Sequence, residues 1–569
     1  MTQTAAQRLW LSQHAGAMQG MAARLKSSRA LERLWAQDAG LWTQEPAARE
    51  AIRQRLGWLT IGEAMRPHLA KLARLRDELR ATGISRMLLL GMGGSALFAE
   101  VARELFGVAA DGIDVRVLDT TDPTAILAAQ RSAPAAALGL LVASKSGTTI
   151  EVQALAAYFL EALRAAGRPA GASMVVITDA GTPLEAQAKA WGARQRFIHH
   201  AGVGLDVGGR FSALTYFGLV PAALVGADLD RLLGRAQAML DACKPGAPAD
   251  ENPALQLAAL LAALHQAGQN TLTLLCPPAL APVGAWLEQM VAESLGKRGK
   301  GVIPVCGEPA REPSAYRRDR IFVELQAAER WDEELDRRAR ALSAAEHPVL
   351  RIHWQDRYDV GGEVLKWSIA TALAGFLLDV DPFDEPNVQE SKDQTKSLLA
   401  SAASGARLEE PGPPACAEGE VTLYGPPPGA TLADALREWI RALRPEDYLA
   451  VLSFLPRTEP IDAAARALRE SFAARLPNAT LLQRGPRYLH STGQLFKGGP
   501  DTGAFIILTA TDAVDAPVPG QRYTFAGLKQ AQALGDVLAM RRRGRRVLHA
   551  HLRSPEAGLS QLIRLIGQA

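Results

Sequence analysis

Leu138-Gly-Leu-Leu-Val-Ala-Ser-Lys-Ser-Gly-Thr-Thr-Ile150-Glu151 decides how this chain folds. Six apolar residues run without a break from Leu138 to Ala143, as in a strand buried on both faces. Four hydroxyl side chains, a lysine and a glycine follow within six positions, and then an apolar helical pattern begins through Leu155, Ala156, Phe159 and Leu160. Strand, polar turn and helix in that order make half of a βαβ unit. The hydroxyls, the free amides of a helix start and the positive end of its dipole suit an anion. Thr148 and Glu151 alone would make a capping box. A cap leaves Ser144, Lys145, Ser146 and Thr149 unexplained, so phosphate binding is the better reading of this turn.

The same pattern extends outward. Met87–Leu90, Val115–Leu118 and Met174–Ile177 are short apolar runs between helical stretches, and a second series follows at Thr271–Cys276, Val302–Val305, Ile321–Leu325 and Val349–Ile352. The alternation predicts α/β architecture with parallel, doubly wound sheets. Gly91-Met-Gly-Gly-Ser95 succeeds the run Met87–Leu90 as the hydroxyl turn succeeds Leu138–Ala143. Ala96 stands where a dinucleotide fingerprint needs its third glycine. Two such turns at strand ends of one sheet mark a ligand crevice.

Residues 1–80 read as helix after helix, with Leu31, Leu34, Trp35, Leu41 and Trp42 at helical spacing. Residues 81–250 and 251–401 form the two sheet domains. A Pro/Gly-rich stretch, 402–430, reads as a linker. Residues 431–569 form a C-terminal α/β segment with apolar runs at Tyr448–Phe454, Ala504–Leu508 and Val547–His551, which either stands alone or completes the second sheet.

The bulk numbers exclude several classes. Of 569 residues, 48% are hydrophobic and 22% charged, and the net charge of +3 gives no reason to expect a polyanionic partner such as nucleic acid. Cys243, Cys276, Cys306 and Cys416 lie too far apart for a Cys-x-x-Cys pair. No window approaches the roughly 18 apolar residues of a membrane span, and the first residues lack the apolar core of a signal peptide. A cytoplasmic protein is expected by default. The basic cluster Arg541–Arg546 straddles Gly544 at a helix end and reads as capping chemistry.

Three further segments carry a resemblance. Val207-Gly-Gly-Arg-Phe-Ser212 resembles the Gly-Gly-Arg-Phe-Ser signature of the phosphoglucose isomerase family, whose domains are of the sugar-isomerase (SIS) type. Glu293-Ser-Leu-Gly-Lys297 is similar to that family's Glu-Ser-x-Gly-Lys signature. Asp381-Pro-Phe-Asp-Glu-Pro-Asn-Val388 through Lys392 resembles its Asn-x-Phe-Asp-Gln…Lys element. Together with Gly91–Ser95 and Ser144–Thr149 they make five motifs between Gly91 and Lys392. The likeness is greatest to the isomerase half of bifunctional transaldolase/phosphoglucose isomerases, and so is that of the tail Pro486–Gln494 through Pro500. With only residues 1–90 before Gly91, no transaldolase barrel is expected in this sequence.

The resemblance implies an aldose–ketose isomerase interconverting glucose 6-phosphate and fructose 6-phosphate by ring opening and a cis-enediol. It implies two SIS domains, a sugar phosphate as the small-molecule partner, a homodimer, and no metal or other cofactor. Gly94, Ser95, Ser144, Lys145, Ser146, Thr148, Thr149 and Gly209 would hold the phosphate. Arg210 would face the enediolate, Glu293 would be the general base, and Lys392 would contact the ring oxygen. By spacing alone Glu293 is an i,i+4 salt-bridge partner for Lys297. Glu385 replaces the family's glutamine. His490, in a Gly/Ser/Thr-rich loop, is the candidate for ring opening. His347 and His353 lack a matching context, and the pair His199-His200 reads as structural. A sugar phosphate-binding regulator and an isomerase that also takes mannose 6-phosphate are the alternative readings.

Overall fold

A computed structural model describes residues 6–10, 15–248, 251–403, 408, 410, 412–425 and 431–568. The chain divides into two compact units. The first comprises Met1–Asp119, Ala133–Cys306 and Arg318–Asp384; the second comprises Thr120–Ser132, Gly307–Arg317 and Glu385–Ala569.

The first unit holds two sheets. Its strands, in chain order, are β1 (Ala6–Trp10), β2 (Arg86–Gly91), β3 (Asp114–Leu118), β4 (Leu138–Ala143), β5 (Met174–Asp179), β6 (Gln195–His199), β7 (Thr271–Leu275), β8 (Ile303–Cys306), β9 (Arg320–Ala327) and β10 (Val349–Trp354). The first sheet runs β3-β2-β4-β5-β6 and is parallel throughout. Every residue of β4 is buried, as an unbroken apolar run on a central parallel strand requires. The winding reverses between β2 and β4, where Gly91 pairs in register with Ala143. That is the switch point, and both polar turns leave from it. The second sheet runs β1-β10-β9-β7-β8. Its four later strands are parallel, and β1 pairs antiparallel with β10 along its whole length.

One continuous apolar core joins both sheets to the N-terminal helices. Leu31, Leu34 and Leu41 are buried in it. Trp42 packs at its margin and donates its indole N–H to the Ala372 carbonyl at 2.8 Å, on the helix Val360–Leu378. The helical expectation for residues 1–80 therefore holds from Ala15 onward and fails at Ala6–Trp10. Five residues are too few to show a period, and an edge strand buries little, so that strand left no pattern to read.

The second unit has its own core and a third sheet. Its strands are β11 (Cys416–Glu418), β12 (Val421–Tyr424), β13 (Tyr448–Ser453), β14 (Ala479–Arg484), β15 (Gly503–Ala510) and β16 (Arg546–Leu552), in the order β11-β12-β16-β15-β13-β14. The C-terminal segment thus forms a separate sheet. The β11–β12 hairpin lies inside the stretch read as linker. Val421 and Leu423 alternate with polar neighbours and are buried, which is strand patterning that the surrounding prolines and glycines obscured. From β13 to β16 the strand order repeats that of β7–β10: the second strand outside, then the first, third and fourth.

The basic cluster is spent on local contacts. Arg543 pairs with Glu390, Arg545 donates to the carbonyls of Lys497 and Gly499, and Arg546 pairs with Asp447. The four cysteines are free thiols. No helix among the described residues is long and apolar enough to cross a membrane.

Candidate active site

The hydroxyl turn after β4 opens the helix Ile150–Ala165, with Thr149 as its N-cap residue. Thr149 makes no capping hydrogen bond to the helix. Its Oγ1 lies 3.1 Å from Ser144 Oγ, and Ser144 Oγ accepts from Gly147 N at 3.1 Å. Ser146 Oγ accepts from the amide and the hydroxyl of Thr148 at 3.3 and 3.1 Å. The hydroxyls therefore brace one another, and the Thr148 hydroxyl is turned to Ser146. Ser146 and Thr148 stand exposed at the mouth of the turn, while Ser144 is buried. Gly147 has φ +67°, and a Cβ there would lie 2.8 Å from Thr182 Cβ, so only glycine fits. Lys145 turns aside: its Nζ donates to Asp179 Oδ2 at 2.7 Å and to the Leu205 carbonyl at 3.1 Å. Asp179 also holds Nδ1 of buried His199 at 3.1 Å, and the ring of His199 stacks on Tyr216. The His199-His200 pair is structural, as its sequence context suggested.

The turn after β2 touches the Gly-Gly-Arg segment. A Cβ on Gly94 would lie 2.0 Å from the Gly209 carbonyl oxygen and 2.9 Å from Arg210 N, and Ser212 Oγ donates to the Gly94 carbonyl at 3.3 Å. Ser95 is buried beside it. Gly209 opens the short 3-10 helix Gly209–Leu214, which carries Arg210.

Arg210 is 4% exposed. Its Nε donates to Ser294 Oγ at 2.8 Å, and its Nη2 donates to the carbonyls of Pro382 at 2.6 Å and Asp384 at 2.9 Å. Its Nη1 lies 3.6 Å from Glu293 Oε1. Three acceptors fix the guanidinium, and its remaining edge faces the carboxylate.

Glu293 lies in the last turn of the helix Ala281–Leu295 and is buried at 8% exposure. Gln289, one turn earlier, donates to Glu293 Oε2 at 3.0 Å. The helix connects β7 to β8 and returns antiparallel to the strands. It therefore brings Glu293 to the Arg210 loop beside the first sheet's switch point, away from the second sheet's own carboxyl edge. The i,i+4 pairing with Lys297 is not made. Lys297 instead reaches Asp384 Oδ1 at 2.7 Å and the Asp381 carbonyl.

Three of the sequence motifs thus meet in one hydrogen-bonded group: Gly-Gly-Arg, Glu-Ser-Leu-Gly-Lys and the start of Asp-Pro-Phe-Asp. Ser294, Lys297 and Gln289 were not singled out as site residues. The first two sit inside a quoted motif, and Gln289 stands four residues before Glu293, so helical spacing was the available signal.

Burial pushes the Lys297 ammonium down to about 8, with the neighbouring Arg210 charge acting in the same direction. The unfolded chain keeps the ordinary lysine value and binds more protons between the two. For this group, stability rises with pH across that window, and below it the cost of the buried ammonium is fully present. The unfolding free energy of wild type minus that of Lys297→Met, from urea melts, should grow between about pH 8 and about pH 10. A flat difference would contradict the depressed value.

Glu385, Lys392 and His490 lie in the second unit. Glu385 is half-buried, and its carbonyl accepts from Val388 N at 3.3 Å. Lys392 is exposed on the helix Val388–Ala403. His490 is half-buried at the end of the 3-10 turn Arg487–His490. The two segments are tied together, because Asn387 N donates to Gln494 Oε1 at 2.9 Å. His353 sits in β10 against Trp331 and lies 3.5 Å from Glu324, a structural position. His347 is buried with its ring edge-on to Phe322.

Parallel doubly wound sheets, the first with a hydroxyl-rich helix start at its switch point, define an α/β protein of the phosphosugar-isomerase class. A glucose-6-phosphate isomerase from Thermus thermophilus is 28% identical over 403 residues, 63% of this chain and 94% of its own length. A probable glucose-6-phosphate isomerase from Haloarcula marismortui is 31% identical over 354 residues, 56% of this chain and 79% of its own. The chain belongs to the glucose-6-phosphate isomerase family. The crystal structure of a hypothetical protein from Thermus thermophilus superposes with a TM-score of 0.59 at 26% identity, over 69% of this chain and all of that one. A glucose-6-phosphate isomerase from Chlamydia trachomatis shares the fold, with a TM-score of 0.55 at 18% identity over 68% of this chain and 86% of its own. No family model matches.

Proposed function

We propose that this chain interconverts glucose 6-phosphate and fructose 6-phosphate. The observation that carries the reading is the buried Arg210–Glu293 pair, held in the unit whose first sheet bears the hydroxyl cradle. The family membership supports it.

Ser95, Ser144, Ser146, Thr148 and Thr149, with the backbone at Gly94 and Gly209, take the phosphate. The helix dipole and first amides of Ile150–Ala165 favour its charge. Lys145, bound to Asp179, adds positive charge without a direct contact. Glu293 removes the proton from C2 of the opened aldose and returns it to C1, while the hydroxyl proton passes from O2 to O1 across the enediolate. The burial of Glu293 slows, without abolishing, exchange of the abstracted proton with water. Arg210 stabilises the enediolate oxygens as charge develops. It is preorganised by Ser294, Pro382 and Asp384, so little reorganisation is needed at the reaction step. The resemblance assigns ring opening to His490, with Lys392 at the ring oxygen and Glu385 in the place of the family's glutamine. The same resemblance carries a homodimer, while a cytoplasmic location without nucleic-acid or membrane partners is the default reading of the near-balanced charge and the sequence's short apolar runs.

The test is a coupled assay of fructose 6-phosphate formation. His490→Ala should lose about 100-fold or more in kcat on the ring form of the substrate, the range of a lost general acid–base group. It should lose less than about threefold on a four-carbon aldose 4-phosphate, whose esterified terminal oxygen cannot close a ring. Equal losses on both substrates would remove His490 from ring opening, and an inactive wild type would overturn the isomerase reading.

A further inference from the structure

The second unit contains a buried carboxylate that none of the family motifs includes. Asp536, on the helix Phe525–Arg542, is fully buried and accepts three hydrogen bonds of 2.7 Å. Ser391 Oγ and Lys497 Nζ donate to its Oδ1, and Tyr488 OH donates to its Oδ2. Lys497 is itself 1% exposed, so a buried ion pair with two added hydroxyl donors forms the centre of the group. Such a group is stable only while all its members are present, because removing one leaves a buried charge or donor unpaired.

The donors occupy informative places in the chain. Ser391 immediately precedes Lys392. Tyr488 comes two residues before His490, in the same 3-10 turn. Lys497 belongs to the helix Gly493–Gly498, which continues the chain just beyond His490. Gly535, beside Asp536, lets the two helices meet closely: a Cβ there would lie 2.9 Å from Thr395 Oγ1 and 3.1 Å from Thr395 N. Thr395 Oγ1 in turn donates to the Ser391 carbonyl at 2.8 Å, which holds that turn of the helix in place. One carboxylate therefore joins the helix of Lys392 to both sides of the His490 turn.

We propose that Asp536 is a positioning residue for ring opening, setting the His490 turn against the Lys392 helix through Tyr488, Lys497 and Ser391. The proposal rests on the assignment of ring opening to His490 and Lys392. Asp536 touches no substrate and acts only through these donors. Its leverage comes from geometry, since misplacing a catalytic group by about 1 Å can cost on the order of 100-fold in rate.

The experiment compares Asp536→Asn, Tyr488→Phe and Ser391→Ala in the full chain, each on glucose 6-phosphate and on the open-chain four-carbon aldose 4-phosphate. Solvent deuterium uptake into product keeps slow turnover measurable. Asp536→Asn turns one acceptor oxygen into a donor facing donors. It should lower kcat on the ring substrate by about 30- to 100-fold, with KM within about threefold and open-chain turnover within about threefold. Tyr488→Phe and Ser391→Ala should each lose about three- to tenfold on the ring substrate alone, and neither should add to the loss in Asp536→Asn, because all act through one group. A merely structural role would lower both substrates together, and that result overturns the proposal. Should Asp536→Asn fail to fold, the Tyr488 and Ser391 variants decide by the same ring-to-open ratio, and an unchanged ratio in both overturns it. A wild type that is active, with a ring-selective loss in His490→Ala but none in the Asp536 group, overturns this proposal alone. No ring selectivity in His490→Ala overturns the underlying assignment and this proposal with it.

Discussion

Glu293→Gln lowers kcat for conversion of glucose 6-phosphate roughly 1,000-fold and leaves KM within about threefold, the range expected for losing a general base. The substitution is nearly isosteric. Its amide presents an oxygen toward Arg210, and its NH2 finds an acceptor once the Gln289 amide turns over to offer its own oxygen, so the buried group loses basicity and charge while its volume is unchanged. Arg210 keeps Ser294 and two backbone carbonyls as acceptors, which limits the structural damage. The effect belongs to the proton transfer itself. Solvent exchange at C2 of a bound substrate should fall with kcat, whereas ring opening should not. Retention of more than about a tenth of wild-type activity would remove Glu293 from the base role, since a catalytic base contributes at least about 100-fold.

Arg210→Met is expected to be costly twice. Removing the guanidinium leaves Glu293 buried without its nearby cation and strips Ser294 and two carbonyls of their donor. Breaking a buried pair from one side costs about 3–5 kcal/mol of stability. Activity should also fall by about 100- to 1,000-fold through loss of a preorganised charge at the enediolate. The two effects are separable. Arg210→Met combined with Glu293→Gln should recover part of the lost stability, because the uncompensated carboxylate is gone, while activity stays at or below the level of either single variant. Urea denaturation beside the coupled assay measures both. A single variant as stable as wild type would show that the 3.6 Å pair contributes nothing to the fold.

How much of this was legible in the sequence follows from burial. β4 was readable to the residue, because a strand covered on both faces must be apolar throughout. β7, β13 and β15 were visible from similar, mostly apolar runs, and β9 from Ile321–Leu325 despite the buried Glu324. β6 and β14 were not. They lie at sheet edges, and their residues alternate or grade into charge, as in Gln195-Arg-Phe-Ile-His199, where only Phe197 and His199 are fully buried. The hairpin β11–β12 was hidden by its Pro/Gly-rich neighbours. At the site, the motifs named the residues but gave no partners. Nothing in the spacing says that Arg210 reaches across 84 positions to Ser294, or that Lys297 passes over Glu293 for Asp384. Those pairings are set by the direction in which a helix returns from its strand, and only tertiary structure fixes that. The cradle was half legible: its hydroxyls were recognised, but Lys145 turning to Asp179 was not foreseeable from a turn sequence.

The short strand β1 has a consequence for handling the protein. Paired antiparallel from Ala6↔His353 to Trp10↔Val349, it occupies the row of amides and carbonyls that β10 would otherwise present along an open side. A parallel stack left with such a side is a template for another chain, and copies can zip together there. β1 becomes the edge in its place, and a five-residue strand carrying exposed Arg8 is a poorer template for another chain than β10 would be. An expression variant trimmed after Trp10 would keep every residue assigned to chemistry above and still bring the molecule nearer to aggregation.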